Sequence, residues 1–298
     1  MLNFLLNGRK LIKLILFFLA PASVYPLFWT VQGGFDTTSF DADSTQQYHT
    51  DEFVSAAQSI AFARFSTDIG KKYNFDLQLR RDPVLRNIAM ADVGFTFNFL
   101  NGGIGVFAGT SDLMMSDIDF GLSGRFGVFF EDYISANIKI SCSIDGNNSS
   151  PTLHNPFRAI IDANFGWLVL YNINIMFAYV EKWYSGQISL YQQIDTKNRR
   201  LQMSIEFYKD EKVYPSIFSV GYDIVNRAFS EKWLGKVENP EALLVFVGAA
   251  HNFEFTPLWS WYVQAEFALN LDNIASAGQH WRVITGISYK KSRASAQK

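Results

Sequence analysis

The stretch YISANIKISCSID, Tyr133 to Asp145, alternates apolar and polar residues along its whole length. Its apolar positions are Ile134, Ala136, Ile138, Ile140, Cys142 and Ile144, and its polar positions are Ser135, Asn137, Lys139, Ser141, Ser143 and Asp145. Successive side chains of a β-strand point to opposite faces, so this period of two predicts one strand with an apolar face and a polar face. Strands of soluble proteins average about five or six residues, and this segment is about twice that length.

The same alternation recurs over most of the chain. It is present in YNFDLQLRR from Tyr73, VGFTFNF from Val93, the segment Ile118 to Phe130, RLQMSIEFY from Arg200 and WYVQAEFALN from Trp261. A strand that crosses a bilayer at a tilt needs about 9 to 11 residues, and several of these segments reach that length. After Ala22 the sequence has no run of about 18 apolar residues, so a helical membrane span is not predicted.

Short turns and longer polar connections alternate between the predicted strands. Tight hairpins are predicted at Asn101-Gly102, Glu131-Asp132, Tyr171-Asn172 and Lys197-Asn198. Longer connections are predicted over 38–53, 82–90, 110–117, 145–156, 226–241 and 271–279. Counted from a first strand at Phe28 to Asp36, the segments number about fifteen, whereas a bacterial barrel holds an even number of strands. Dropping one segment between Gln187 and Val225 gives an all-β, transmembrane, antiparallel up-and-down barrel of about 14 strands, with 12 to 16 possible.

The N-terminal segment has the layout of a secretory signal peptide. Arg9, Lys10 and Lys13 precede a short apolar run that ends at Leu19, and Ala20-Pro21-Ala22 supplies small residues for cleavage. An N-terminal membrane anchor is the alternative, but this run is much shorter than the about 20 residues that a helical span needs. We therefore predict a cleaved signal peptide over 1–22, one barrel domain over 23–290 and a basic, polar C-terminal tail over 291–298.

The composition favours a surface that meets lipid. Charged residues make up 18% of the chain, below the average of about 25%, and aromatic residues make up 16%. Aromatic rings prefer the headgroup zone of a bilayer, and many lie near the ends of predicted strands. They are Trp29, Tyr73, Tyr133, Trp167, Tyr171, Trp183, Tyr184, Trp259, Trp261, Trp281 and Tyr289. The formal net charge of −2 and the lack of a basic patch predict no nucleic-acid partner, and the single cysteine excludes an internal disulfide.

The sequence gives little sign of catalysis or of a cofactor. Gly103, Gly105 and Ala108 match G-x-G-x-x-A but follow a predicted hairpin rather than opening a helix. The four histidines are far apart, and Asp41 and Asp43 lie in an acidic loop without the calcium-binding spacing. We therefore predict no cofactor, no metal site and no enzyme, with a hydrolase site embedded in the barrel as the alternative.

Charged residues on the polar faces of the predicted strands are the candidate functional groups. They are Asp76, Arg80, Asp119, Arg125, Lys139, Arg158, Asp162, Glu206, Glu266 and Arg282. A barrel of about eight strands is filled by its side chains, whereas about 14 strands enclose a wider bore. We expect these groups to line a water-filled pore, and their mixed signs predict weak ion selectivity.

One predicted connection has a helical spacing. In NRAFSEKWLGKVENP, Phe229, Trp233 and Val237 recur at i, i+4 and i+8. This spacing predicts a short amphipathic helix that folds into the lumen as a lid or lies on the membrane surface, and a plain external loop is the alternative.

Taken together, the signal peptide, alternating segments, uneven connections and aromatic ends resemble Gram-negative-type outer-membrane barrels of the porin-like class, over roughly residues 28 to 290. The resemblance implies an outer-membrane location, contact with bilayer lipids, and assembly by periplasmic chaperones and the barrel-assembly machinery. Members of this class usually end their last strand on an aromatic residue. This chain departs from that pattern, because Lys290 and Lys291 follow Tyr289.

Three functional hypotheses follow. The first is a porin-like channel for passive diffusion of small hydrophilic solutes, based on the polar faces. The second is a non-conducting surface or adhesion barrel that binds partners through its long external loops. The third is a secreted, soluble β-sandwich.

Overall fold

The structure is a computed structural model, and it contains fifteen strands in its described residues. Those residues are 28–38, 58–69, 72–82, 86–110, 118–130, 133–144, 157–189, 192–208, 215–231, 235–238, 242–271 and 279–291. The strands are β1 (Phe28–Thr38), β2 (Gln58–Ile69), β3 (Tyr73–Asp82), β4 (Arg86–Phe97), β5 (Leu100–Thr110), β6 (Ile118–Phe130), β7 (Ile134–Ile144), β8 (Phe157–Leu170), β9 (Ile173–Ser189), β10 (Gln192–Phe207), β11 (Ser216–Glu231), β12 (Gly235–Glu238), β13 (Ala242–Glu254), β14 (Trp259–Asn270) and β15 (Gln279–Lys291). The predicted signal peptide and the residues after Lys291 lie outside this part of the chain.

Fourteen of these strands form one closed antiparallel ring. Each pairs with its neighbours in chain order, and β1 pairs with β15 to close the cylinder. The short β12 pairs only with residues 228–231 at the end of β11 and does not enter the ring. The next strand of the ring is β13, which pairs with residues 217–225 of β11. The predicted transmembrane barrel of about 14 strands is confirmed, and the sandwich hypothesis is wrong because one closed sheet replaces two stacked ones.

β7 shows how the alternating sequence is used. Ile140 and Ile144 are 48% and 54% exposed on one face, whereas Ser141 and Ser143 on the other face are 5% and 8% exposed. This order is the reverse of a soluble protein, whose apolar residues are buried. The outward face of the barrel is therefore apolar and suited to lipid, and the inward face is polar. Within the described ranges there is no helix long and apolar enough to span a membrane.

The β4–β5 turn lies three residues earlier than predicted. It occupies 98–99, and Asn101 and Gly102 are already part of β5. Asn98 has a φ of 51°, in the left-handed region that tight two-residue hairpins require and that asparagine tolerates. The turn at Tyr171-Asn172 is confirmed. Glu131-Asp132 lies between Phe130, the last residue of β6, and Tyr133, which directly precedes β7.

Two other predicted connections are wrong. β4 begins at Arg86, so the connection predicted over 82–90 is reduced to 83–85. Lys197 and Asn198 do not form a hairpin, because both lie within the 16-residue strand β10. The residues KNRR place polar side chains on both faces of the strand, so the apolar–polar alternation seen in the C-terminal half of β10 is absent there.

We call the end of the barrel with the 98–99 and 171–172 turns the turn end, and the opposite end the loop end.

The predicted lid helix is also wrong in its described part. β11 extends to Glu231, and Phe229 pairs with Val237 of β12 across a hairpin. A hairpin centred on residue 233 places residues four before and four after it opposite each other. The spacing of Phe229 and Val237 therefore reflects the antiparallel pairing of β11 with β12, and Trp233 itself lies outside the described residues.

The seam between β1 and β15 is a close backbone contact. A Cβ atom added to Gly34 would overlap the backbone of Thr285 and Gly286, so the two strands approach where glycines face each other. Aromatic rings lie beside the seam at the turn end. The ring of Tyr289 is 5.2 Å from that of Trp29 and 4.7 Å from that of Trp259. These outward rings form an aromatic belt at one membrane boundary.

Candidate functional site on the inner face of the barrel

The strand registers place all ten predicted pore-lining residues on the inward face. Their parity is opposite to that of the exposed apolar residues on the same strands, such as Ile138 next to Lys139 and Phe267 next to Glu266. Asp119 is inward by its pairing with Gly109, but its side chain is outside the described part of the chain. The structure brings most of the others together with polar partners that the sequence did not single out.

The first group surrounds Asp92 on β4. Lys139 on β7 forms an ion pair with it at 2.8 Å, and the Ser123 hydroxyl on β6 donates a hydrogen bond to its other oxygen at 2.7 Å. The Asp92 side chain is 8% exposed, whereas that of Lys139 is 33% exposed. A buried carboxylate needs such partners, because burial without them carries a large desolvation cost.

Arg125 on β6 lies flat against the wall. Its guanidinium donates a hydrogen bond to the Asn74 side chain on β3. Cβ atoms added to Gly94 or Gly103 would overlap the guanidinium, so these two glycines provide the floor on which the side chain lies. Glycine at these positions keeps a long cation close to the backbone instead of extending it toward the axis of the bore.

A third group combines an arginine with an apolar cluster near the loop end. Arg158 on β8 is fully buried, donates to the Ser141 hydroxyl at 3.1 Å and covers the Phe107 ring at 5.0 Å. Phe107 packs with Ile88 and Met90, and all three are at most 5% exposed. Arginine over an aromatic face is a favourable cation–π arrangement. The inner face is therefore apolar as well as polar at this level.

These contacts share one geometry. Asn74 and Arg125, Asp92 and Lys139, and Phe107 and Arg158 each lie on strands three places apart in the ring. Strands are spaced by about 4.8 Å, so each pair spans an arc of about 14 Å along the wall. A contact across the diameter of this ring would join strands seven places apart. The three bridges are therefore stacked along one side of the bore.

The opposite wall repeats the arrangement around Arg200 on β10. Its guanidinium pairs with Glu266 on β14 at 2.5 Å and with Asp223 on β11 at 3.3 Å. It also covers the Phe246 ring on β13 at 3.7 Å. Phe246 and Leu244 are at most 3% exposed. Each wall therefore carries an arginine stacked on a buried phenylalanine, and here too one ion pair, Arg200–Glu266, extends over three strand positions.

The remaining predicted residues have local partners. Arg282 forms a bidentate pair with Asp36 across the seam, with distances of 2.9 and 2.6 Å, and Asp76 pairs with Arg64 on the adjacent strand at 2.6 Å. Arg80 and Asp162 lie on the same inward face, where their registers set them opposite Ile88 and Lys139.

Glu206 lies at the turn end of β10. It accepts hydrogen bonds from Asn174 at 2.8 Å and from the Tyr208 hydroxyl at 2.9 Å. Tyr208 lies just beyond the strand, and burial together with the Glu206 carboxylate raises the pKa of its phenol to about 12. The phenol is therefore protonated at neutral pH and acts as a hydrogen-bond donor at this rim.

The sequence did not identify several of these partners. Asp92 falls between a predicted loop and a predicted strand, Arg200 follows the wrongly predicted Lys197-Asn198 turn, and Asp36 is the last residue of the first predicted strand. Each is inward by parity once the strand boundaries are known. Among the described residues, no group of three or more histidine, cysteine or acidic side chains is arranged to hold a metal ion.

No protein-family model and no curated protein sequence matches the chain. Solved structures with similar architecture are outer-membrane barrels. An anion-selective porin from Comamonas acidovorans is 11% identical, with a TM-score of 0.40, and the match covers 89% of this chain and 99% of the porin. An outer-membrane channel from Pseudomonas putida F1 is 11% identical, with a TM-score of 0.49 and coverage of 90% and 97%. A monoaromatic hydrocarbon channel is 9% identical, with a TM-score of 0.40 and coverage of 89% and 88%.

Proposed function

We propose that the protein is an outer-membrane channel through which small hydrophilic solutes diffuse passively. The observation that carries this proposal is the charged inner face, where ion pairs lie along the wall. The pairs Lys139–Asp92 and Arg200–Glu266 extend over three strand positions of a fourteen-strand ring, and Arg282–Asp36 over one. The width of a barrel grows with its strand number, so side chains held against this wall leave a hydrated bore between the two sides.

The inner charges would give the channel a mixed character. Acidic and basic groups are paired along the wall, so no continuous ring of one sign favours anions or cations strongly. Near the loop end, buried apolar residues such as Phe107 and Phe246 share the inner face with the charged ones. We propose that Asp76, Arg80, Asp119, Arg125, Lys139, Arg158, Asp162, Glu206, Glu266 and Arg282 belong to this lining. In this proposal the barrel carries out no catalysis.

Purified protein in planar lipid bilayers tests the proposal. Steady conductance above the bare-bilayer value is expected, and a bilayer that stays sealed at micromolar protein would overturn the proposal.

The ion selectivity of the channel then tests whether the lining residues are correctly assigned. Asp92→Asn removes an inner negative charge and should shift the reversal potential toward anion preference. Arg125→Gln should shift it in the opposite direction, because this variant removes an inner positive charge. Ile138→Leu, on the outward face, should leave it unchanged, and equal shifts in all three variants would contradict the assignment.

A further inference from the structure

Among the described residues of the strands, outward-facing charged side chains occur in one place; outside the strands, the Lys72 ammonium lies 5.7 Å from the outward Phe97 ring at the turn end. Among outward strand residues whose side chains are described, the carboxylate, ammonium and guanidinium groups are those of Glu181, Lys197 and Arg199. An arginine or lysine facing lipid costs about 2 to 4 kcal/mol at the bilayer midplane and about 0 to 1 near the interface. Three such groups in a single cluster therefore mark a site with a different environment from the rest of the outward face.

The cluster is built on two adjacent strands. Glu181 on β9 accepts hydrogen bonds from Tyr179 at 2.6 Å, Lys197 at 3.1 Å and Arg199 at 3.3 Å. The Lys197 ammonium also lies over the Trp183 ring at 5.5 Å. Arg199 is directly opposite Glu181 in the β9–β10 register. One carboxylate thus holds two cations side by side, and the cluster has a net positive charge.

The cluster lies at the edge of the apolar band that is nearer the loop end. Below Glu181 toward the turn end, the outward residues of β9 are Tyr179, Phe177, Ile175 and Ile173, and those below Arg199 on β10 are Leu201, Met203, Ile205 and Phe207. At about 3.3 Å per residue and a tilt of about 40°, this distance is about 20 Å in height, close to the about 25 Å of an apolar band. Tyr179 and Trp183 are the aromatic types that prefer this boundary.

The cations retain exposed surface in this position. The side chains of Lys197 and Arg199 are 37% and 39% exposed, whereas that of Glu181 is 13% exposed. The acceptor is thus covered, while the donors are presented outward at headgroup height. A phosphate matches two such donors, because guanidinium and ammonium groups both form charge-assisted hydrogen bonds with its oxygens.

We propose that Lys197 and Arg199 bind the phosphate of a membrane lipid headgroup, with Glu181 holding the two cations in place. A second protein is a poorer fit than a lipid, because a stable protein interface buries about 800 Å² on each partner, whereas this polar cluster consists of a few side chains. The residues opposite the cluster on the neighbouring strands are apolar: Ile161 pairs with Glu181, and Ile224 pairs with Arg199. These flanking residues suit the acyl chains of the same lipid. The site is independent of whether the bore conducts.

Native mass spectrometry of the intact barrel tests this assignment. The protein is exchanged into detergent with either phosphatidylglycerol or a galactosyl diacylglycerol of the same chains, and retained lipid is counted. Wild type should retain phosphatidylglycerol preferentially. Lys197→Gln/Arg199→Gln should lower its affinity about thirtyfold, since each surface cation contributes about a 5- to 6-fold factor. Glu181→Gln should strengthen retention, because it removes the competing negative charge while the glutamine Oε1 can still accept hydrogen bonds from the two cations and keep them in place.

Lys182→Gln is the matched control. Lys182 is on the same strand but faces inward, so retention should stay at the wild-type value. Each variant is first shown to keep heat-modifiable gel mobility, which reports a closed barrel. Should the double variant fail to fold, Glu181→Gln decides the question by its opposite sign. Equal retention of the two lipids by wild type, or weaker phosphatidylglycerol retention in folded Glu181→Gln, would overturn the proposal.

Discussion

Ile138 and Lys139 are sequence neighbours on β7 that face different media. Ile138 is 39% exposed on the apolar outer surface, whereas Lys139 reaches inward to Asp92 at 2.8 Å. In a soluble domain, a partly exposed isoleucine and a partly exposed lysine would both tolerate exchange. In a barrel in lipid they differ, because lipid offers no partner for a charge.

Arginine at Ile138 should therefore impair folding. Near the middle of β7 it would face acyl chains, at a cost of about 2 to 4 kcal/mol. The matched inner change must remove both members of the ion pair, because loss of Lys139 alone would leave Asp92 as a buried charge. Lys139→Met/Asp92→Asn should lose much less stability. Urea titration of refolding into lipid vesicles measures both, and equal losses would contradict the assignment of the two faces.

Glycines on the inward face decide where long side chains lie. At Gly94 and Gly103 the space that a Cβ atom would occupy is filled by Arg125, and at Gly121 it is filled by the Phe107 ring. The sequence shows glycines among the polar positions of these strands but does not show which distant side chain lies above them. That information depends on register across several strands, which no local pattern contains.

At the scale of strands, the sequence predicts strand boundaries best where one face of the strand is apolar and the other is polar. β7 was predicted within one residue of its bounds, because its alternation runs from end to end. The sequence predicts a turn at Lys197-Asn198 within β10, because the part of this strand near the loop end is polar on both faces where it leaves the apolar band. The same lack of alternation hid Arg200, a principal residue of the inner wall. It also placed Lys197 in a turn and left Arg199 directly after that turn, rather than on the outer surface.

The seam between β1 and β15 is the element on which closure depends. A Cβ atom at Gly34 would overlap backbone atoms of Thr285, which cannot rotate away as a side chain can. Gly34→Ala should therefore weaken the pairing that joins the two ends of the sheet. Heat-modifiable gel mobility after refolding measures closure, and a clear loss of the fast-migrating folded form is expected.

Gly33→Ala is the control for this experiment. Gly33 faces outward on the same strand, and the nearest atom to an added Cβ is 3.8 Å away, which is ordinary contact distance. The β propensity and chain-entropy effects of alanine are the same at both positions. Similar yields of folded barrel from the two variants would show that the close approach at the seam is not limiting.

At the scale of the whole molecule, the fold places two solvents on the two sides of one sheet. The outward face carries apolar and aromatic residues, and the inward face carries ion pairs that lie along the two walls. Closure removes the free strand edges that lipid could not solvate. Parity and chain order are enough to predict this cylinder and the inward position of the ten candidate charged residues, whereas the partners of those charges depend on how far around the ring each strand lies.

The most direct test measures the surroundings of adjacent β7 positions in a bilayer. Nitroxide labels are attached to cysteines introduced at 138 or at 139 in a Cys142→Ser background, and collision with oxygen and with a water-soluble nickel complex is recorded by electron paramagnetic resonance. The label at 138 should be accessible to oxygen and shielded from nickel, and the label at 139 should show the reverse. Equal accessibility at the two positions would contradict a barrel with lipid outside and water inside.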